Sequence, residues 1–254
     1  MDYILSAITD IGIKKDTNQD SYYAMVAETA WGKIAFAIVC DGMGGLQRGE
    51  VASNSLVQAF KHWIREYLHS LTAPPLSEEI QGGWMSLAEE YNRKINAYGQ
   101  EEGIRLGTTC TALMLYEGQY YILNVGDTRC YCLSESIQLL THDHSLVQQE
   151  VDQGILSLEA AAHDSRRNVL LQCVGASARL NPDYFEGSFV QGSSFLLCTD
   201  GFRHEVREEE IMTWLASGVA AEEQIMQWHL AELVELNKQR GETDNITALL
   251  IKTV

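Results

Sequence analysis

Apolar positions along this chain follow two periods, and the switches between them mark out the elements. Residues 3–9, 21–27 and 33–40 read as strands. The third is apolar at every position from Ile34 to Val39, which predicts a central strand covered on both faces. Beyond Val51 the period changes: Ala52, Leu56, Ala59, Phe60, Trp63, Ile64, Tyr67, Leu68 and Leu71 step by three and four, one face of a long helix. Residues 72–76, with Pro74 and Pro75, break it. Ile80, Trp84, Leu87, Ala88, Tyr91, Ile95 and Tyr98 then predict a second helix that ends near Gly99 and runs antiparallel to the first over one sheet face.

Strand patterns return at 108–116 and 119–125, joined by Glu117-Gly118 in a tight hairpin, and continue at 130–133 and 137–140 as an antiparallel meander. Residues 145–180 hold short helical pieces, Gly154 and a polar cluster at 164–168, but no long strand; a segment of this kind often carries function. A strand at 195–198, helices near 207–217 and 221–237, and an apolar strand at 246–251 close the chain. This order is neither a clean alternation of strand and helix nor a single run. It predicts an α+β fold in four layers, α/β/β/α: two antiparallel sheets face to face, each flanked outside by a pair of helices.

At 254 residues, with no internal repeat, low-complexity tract or linker, the chain is expected to form one domain, 1–254. Its hydrophobic content of 46% and charged content of 21% are those of a globular protein. The net charge of -17 argues against nucleic acid or an anionic membrane as partner and suits a protein that gathers divalent cations, although it also serves solubility alone. Six cysteines sit mostly within apolar runs without a Cys-x-x-Cys pair, as buried thiols of a reducing compartment do. Cys130 and Cys132 share a strand face, but no second pair supplies further metal ligands. No apolar run approaches the ~18 residues of a membrane span, and no basic segment precedes residues 3–8, so a cytoplasmic protein is expected.

The acids change the picture. Asp20 stands just before a strand, Asp41, Asp127 and Asp200 just after strands, and Asp244 just before the closing one. In an antiparallel sandwich the starts of some strands and the ends of others share an edge, so all five converge on one rim. Each alone reads as a turn former. Together they repel one another unless a cation is bound, and all-oxygen ligation favours Mg2+ or Mn2+ over zinc. Asp41-Gly42-Met43-Gly44-Gly45 gives the cluster its centre, because glycines let backbone approach a ligand without a Cβ in the way.

Ordered motifs then run along nearly the whole chain: Thr9-Asp10-x-Gly12 with Asn18-Gln19-Asp20, Asp41 to Gly45 with Gly49-Glu50-x-Ala52-Ser53, Gly107-Thr108-Thr109, Asn124-Val125-Gly126-Asp127-Thr128-Arg129, Leu140-Thr141-x-Asp143-His144-Ser145, Cys198-Thr199-Asp200-Gly201, and Thr243-Asp244-Asn245-Ile246-Thr247. In these the sequence resembles the metal-dependent (type 2C) serine/threonine protein phosphatases, and Met43 after Asp-Gly resembles their bacterial branch. The resemblance implies the family's sandwich of two antiparallel sheets and hydrolysis of phosphoserine and phosphothreonine in proteins, opposing a cognate serine/threonine kinase. It implies two to three Mn2+ or Mg2+ ions. Asp41 would bridge two of them, the Gly42 carbonyl would ligate, Asp200 and Asp244 would complete the ligand set of the second ion, and Gln19 and Asp20 would act through waters. Asp127 with Asp200 would hold a third ion. The implied chemistry is in-line attack on phosphorus by a water shared between the metals.

The sequence also departs from the family pattern. Lys15 stands where the family usually has a phosphate-gripping arginine; it keeps the charge but loses the bidentate fork. Met43 replaces the histidine of eukaryotic members and cannot donate a proton to the leaving group, and Leu46 replaces a histidine frequent in bacterial ones. Residues 145–180 resemble the family's flap, which makes Arg166 and Arg167 candidate contacts for a phosphoprotein. The catalytic candidates are thus Asp41, Asp200 and Lys15, in a chain expected to be a monomer. Two alternatives stand beside this reading: a pseudophosphatase that binds phosphoproteins without turnover, and a metal phosphohydrolase of small metabolites. His142-x-His144 is a possible zinc pair on a strand, against a structural role for His144; His62 beside the first helix face reads as a packed or solvated histidine.

Overall fold

The computed structural model describes residues 1–43, 48–216, 218–219 and 222–254. The described residues form strands β1 (Tyr3–Asp10), β2 (Ser21–Thr29) and β3 (Gly32–Cys40), then helices α1 (Gly49–Ser70) and α2 (Ser77–Glu102). Next come β4 (Cys110–Tyr116), β5 (Gln119–Val125), β6 (Arg129–Leu133), β7 (Ile137–Leu139), and the short helices α3 (Leu146–Asp152) and α4 (Leu158–His163). The chain ends with β8 (Asp183–Ser188), β9 (Ser194–Cys198), α5 (Asp200–Arg203), α6 (Glu208–Leu215), α7 (Glu223–Gln239) and β10 (Ile246–Thr253). Two five-stranded sheets result, ordered β1-β10-β9-β6-β7 and β2-β3-β4-β5-β8, with every neighbouring pair antiparallel.

Strand β3 shows how the sequence builds the layers. Ile34, Phe36, Ile38 and Cys40 face outward into a core made with Leu56, Phe60 and Ile64 of α1 and Ile80 and Trp84 of α2. The intervening Ala35, Ala37 and Val39 face inward against Leu113, Phe195, Leu197, Leu249 and Ile251, where small side chains allow the two sheets to approach. Leu196, Cys198, Ala248 and Leu250 carry the other sheet's outer face into a third core with Ile211, Leu215, Leu230 and Leu233 of α6 and α7. This is the expected four-layer sandwich.

Two elements escape a reading by period. Strand β8 is an edge strand with a glycine in it, too irregular to show alternation, and it is held by pairing with β5. Helix α5 has four residues, about one turn, so no apolar period is visible in it. Ser217 and Ala221, at the ends of two expected helices, lie outside the described residues. All six cysteines are free, and all but Cys132 are buried. No helix among the described residues is long and apolar enough to cross a membrane.

Strand register decides where the acids fall. Ser21 pairs with Cys40, Cys110 with Val125, Ala248 with Cys198, and Asp10 with Ile246. Residues 20, 41, 127, 200 and 244, each one or two positions beyond such a pair, therefore leave the two sheets at the same end.

Candidate active site

Main-chain hydrogen bonds fix the end of β3. The Asp41 N–H donates to Thr109 Oγ1 at 2.8 Å, the Asp41 carbonyl accepts from Thr109 N and Thr108 Oγ1, and Met43 N donates to the Gly107 carbonyl. Gly107-Thr108-Thr109 is thus a clamp that holds Asp41 by its backbone and leaves its carboxylate to the cavity. Gly42 is a close-approach glycine: a Cβ there would stand 2.4 Å from both the Gln19 and the Gly49 carbonyl oxygens. The Gln19 carbonyl in turn accepts from Gly42 N and from Ser53 Oγ, which ties the β2 entry to β3 and α1. Gly44, Gly45 and Leu46 lie outside the described residues.

A cavity of about 210 Å3 opens at this rim, lined by Lys15, Asp41, Met43, Thr109, Asp127, Asn168, Leu170, Asp200 and Asp244. Four of the five expected acids and Lys15 therefore meet. Asp20 lies behind them, buried, with Thr199 Oγ1 donating to its Oδ2 at 3.1 Å. Gln19 is held by Asn245 Oδ1, which accepts from its N–H at 2.8 Å. Lys15 Nζ sits 2.7 Å from Asp244 Oδ1. The two flap arginines do not line the cavity. Arg166 is engaged by Glu150 and Asp164, and Arg167 is half-buried beside them. The flap instead contributes Asn168 and Leu170, for which the sequence held no signal beyond their position.

Crowding acids in little water raises their proton affinity. Burial pushes the Asp41 carboxyl well above the usual carboxylate range, and the charges of Asp20, Asp200, Asp127 and Asp244 push it further. Asp20 rises to about 7, chiefly by burial, with Thr247 and Thr199 hydrogen bonds opposing and Asp200 and Asp244 reinforcing. Asp127 also rises to about 7, by burial and Asp200, against the nearby Arg203 guanidinium. For Lys15 burial is the largest influence and acts downward. The Asp244 hydrogen bond and the charges of Asp41 and Asp200 outweigh it, so the ammonium is held above its ordinary value.

The comparisons with known proteins agree with this geometry. The family model described as Protein phosphatase 2C matches residues 13–235. The chain belongs to the protein phosphatase 2C family. It is 34% identical over 223 residues to the serine/threonine phosphatase stp of Listeria innocua, covering 87% of this chain and 85% of that one. Among solved structures, the Streptococcus agalactiae serine/threonine phosphatase superposes with a TM-score of 0.84 at 29% identity, over 99% of this chain and 100% of that one. The catalytic domain of the serine threonine protein phosphatase PstP, solved in complex with two manganese ions, has a TM-score of 0.79 at 25% identity and covers 99% and 98%. The protein is a bacterial-type serine/threonine phosphatase of the 2C class, a hydrolase.

Arg203 and Glu242 serve this phosphatase site without having been read in the sequence, and for Asn245, Arg129, Asp143 and His144 the motifs gave the residues but not their partners. Asn245 donates through Nδ2 to the Ile11 and Thr17 carbonyls while Oδ1 accepts from Gln19, so one side chain fastens the loop that carries Lys15. Glu242 accepts from the N–H groups of Thr243 and Asp244 and from His204, which turns the Asp244 loop into the cavity. Arg203 donates to the Asp127 carbonyl and reaches both Asp127 and Asp143 carboxylates at 3.6 Å. Asp143 itself takes a bidentate grip from Arg129. His144 Nδ1 faces the N–H donors of Gly126 and Gln172, so its proton sits on Nε2 and is donated to Asp183; this histidine anchors the Gly126-Asp127 turn. His142 pairs separately with Asp152, so the two histidines form no zinc pair, and His62 is exposed.

The pKa directions give a sign for stability. Asp20, Asp127 and Asp41 have folded values above their unfolded ones, so the folded state binds more protons than the unfolded state as pH rises from 3.8. Their contribution is complete below that value and is lost as pH passes about 7 for Asp20 and Asp127, and higher for Asp41. Asp143 and Glu242, whose values are lowered, contribute a constant term in the same window. The metal-free phosphatase is therefore expected to melt several degrees lower at pH 8 than at pH 5.5 in EDTA, and saturating Mn2+ is expected to remove that slope. A metal-free melting temperature that rises over this range would refute the assignment.

Proposed function

We propose that the chain, as one catalytic domain with a flap at about 145–180, removes phosphate from phosphoserine and phosphothreonine in proteins, opposing a serine/threonine kinase. The single observation that carries this reading is the meeting of Asp41, Asp127, Asp200 and Asp244 with Lys15 in one cavity at the sheet ends. The donor set fits a hard divalent ion. Among the described residues, Asp20 Oδ1 and Asp200 Oδ1 are buried without a hydrogen-bond partner and nothing donates to the Gly42 carbonyl.

Asp41 would bridge two ions, with the Gly42 carbonyl on one of them and Asp200 and Asp244 on the other. Gln19 and Asp20 would act through bound waters, and Asp127 with Asp200 would hold a third, weaker ion. PstP, crystallised with two manganese ions, supports Mn2+ or Mg2+ as the cofactor. When bound, such ions lower the pKa of a water positioned for in-line attack and neutralise the phosphoryl oxygens. The chain's own part is to hold the carboxylates by their backbones, to offer Lys15 as a charge for the phosphate, and to wall the cavity with Leu170 and Met43. Met43 has no proton to give, so the leaving oxygen would take its proton from a metal-bound water or from another group. Arg166 and Arg167 would meet the body of a phosphoprotein rather than its phosphate.

Purified protein with Mn2+ is expected to release phosphate from a phosphothreonine peptide, with EDTA abolishing release and added Mn2+ restoring it. Faster turnover of small phosphorylated metabolites than of phosphopeptides would redirect the substrate assignment. No turnover of either, or of para-nitrophenyl phosphate, would reject the enzyme reading in favour of a phosphoprotein-binding pseudophosphatase.

A further inference from the structure

Lys15 is not placed as a simple phosphate ligand would be. Its ammonium does not stand free in the cavity; it lies on Asp244, an acid in the ligand set proposed above. It is the one cation among the described residues that line the cavity, facing four carboxylates. Its side chain keeps 29% of its exposure, so the pair is neither deeply buried nor a loose surface contact. The loop bearing it is pinned from both sides: Gly12, at φ 77° with no room for a Cβ against the Asp244 carbonyl, at one end, and the Asn245 hydrogen bonds to Ile11 and Thr17 around it. The lysine stem is flexible while its root is fixed beside Asp244. Consistent with this, among the described residues no three His, Cys, Asp or Glu groups are gathered closely enough to hold an ion as they stand.

We propose that Lys15 is a built-in counter-ion of the metal-free phosphatase, which competes with the metal for Asp244 and is handed to the phosphate when it is displaced. The inference rests on the metal-dependent reading above. Lys15 takes Oδ1 of Asp244, and a divalent ion on the same carboxylate would stand within a few ångströms of that ammonium, where two cations repel. Each cation therefore weakens the other's hold on Asp244, and the more highly charged ion displaces Lys15 as that acid becomes a ligand. Its released Nζ remains tethered over the same cavity, where a phosphoryl group would offer it an anionic partner outside the ligand set. A lysine suits this exchange: a compact charge on a four-carbon stem reorients, whereas a planar guanidinium is committed to a fork geometry. The device also explains how a chain with this acid cluster folds before metal arrives, since an unpaired group of like charges opposes folding.

Isothermal titration of Mn2+ into metal-free protein, in phosphate-free buffer, tests this without turnover. Lys15→Met is expected to bind Mn2+ about fivefold tighter than wild type or better, the effect of removing one partly screened like charge at contact distance. Its metal-free form is expected to melt lower, and Lys15→Gln repeats both results if the methionine variant folds poorly. Unchanged or weaker Mn2+ affinity in these variants would overturn the proposal and leave Lys15 as a phosphate contact only. An Asp200→Asn control separates the two layers of inference. If wild type takes up no Mn2+, or if Asp200→Asn binds it as well as wild type, the metal-site reading itself falls and this proposal falls with it.

Discussion

Replacing Asp41 by asparagine is expected to lower phosphate release by at least about a thousandfold, while raising the melting temperature of the metal-free chain. The two effects have opposite signs for one reason. The Asp41 backbone is held by Thr108 and Thr109 through main-chain groups that asparagine keeps, so the substitution leaves the end of β3 in place. What it removes is a negative charge that burial and four neighbouring acids already disfavour. Without metal that charge opposes folding, and its loss stabilises; with metal, Asp41 as the proposed bridging ligand would be the electrostatic centre of the reaction, which its loss would remove. Phosphopeptide turnover and thermal melts in EDTA measure the two sides separately. A variant that loses both activity and metal-free stability would show that Asp41 is a structural acid and would contradict the assignment.

Arg203→Met should be the most destabilising single change near the site. Arg203 is partly buried beside Asp127, donates to the Asp127 carbonyl, and is the counter-charge for Asp127, while Asp143 retains the bidentate Arg129. Methionine preserves most of the volume but strands a buried carboxylate, a change that typically costs about 3–5 kcal/mol when one partner of a buried pair is removed. Urea denaturation in EDTA checks it. Saturating Mn2+ is expected to restore part of the loss, because an ion at the proposed Asp127 and Asp200 site would supply the charge that Arg203 supplied. A metal-free loss under about 1 kcal/mol would place the pair among surface-like contacts of little weight.

How much of this was legible before the structure varies with the physics that each feature depends on. The two long helices and strand β3 were readable because burying one or both faces imposes a strict local period. Strand β8 and helix α5 were not, since an edge strand is specified by its partner β5 and a single turn has no period. The acids were readable as strand-end residues, and their convergence followed from antiparallel geometry. Arg166 was readable as a cation of the flap, but its pairing with Glu150 and Asp164 was not. Arg203 and Glu242 carried no pattern of their own, and Asn245 stood in a motif that gave no hint of its partners. Each acts through partners tens to hundreds of residues away, such as Asp127, His204 and Gln19.

The sequence by itself determined the layer order and the identity of the acid set, because hydrophobic period and residue chemistry are local properties of a chain. Tertiary structure alone decided the state of the site. It joined Lys15 to Asp244, set Arg203 behind Asp127, and left Asp20 Oδ1 and Asp200 Oδ1 without partners. Those are contacts across 76 to 229 positions of sequence, fixed by strand register and loop closure. No local pattern encodes them, yet they set the charge balance on which metal binding depends.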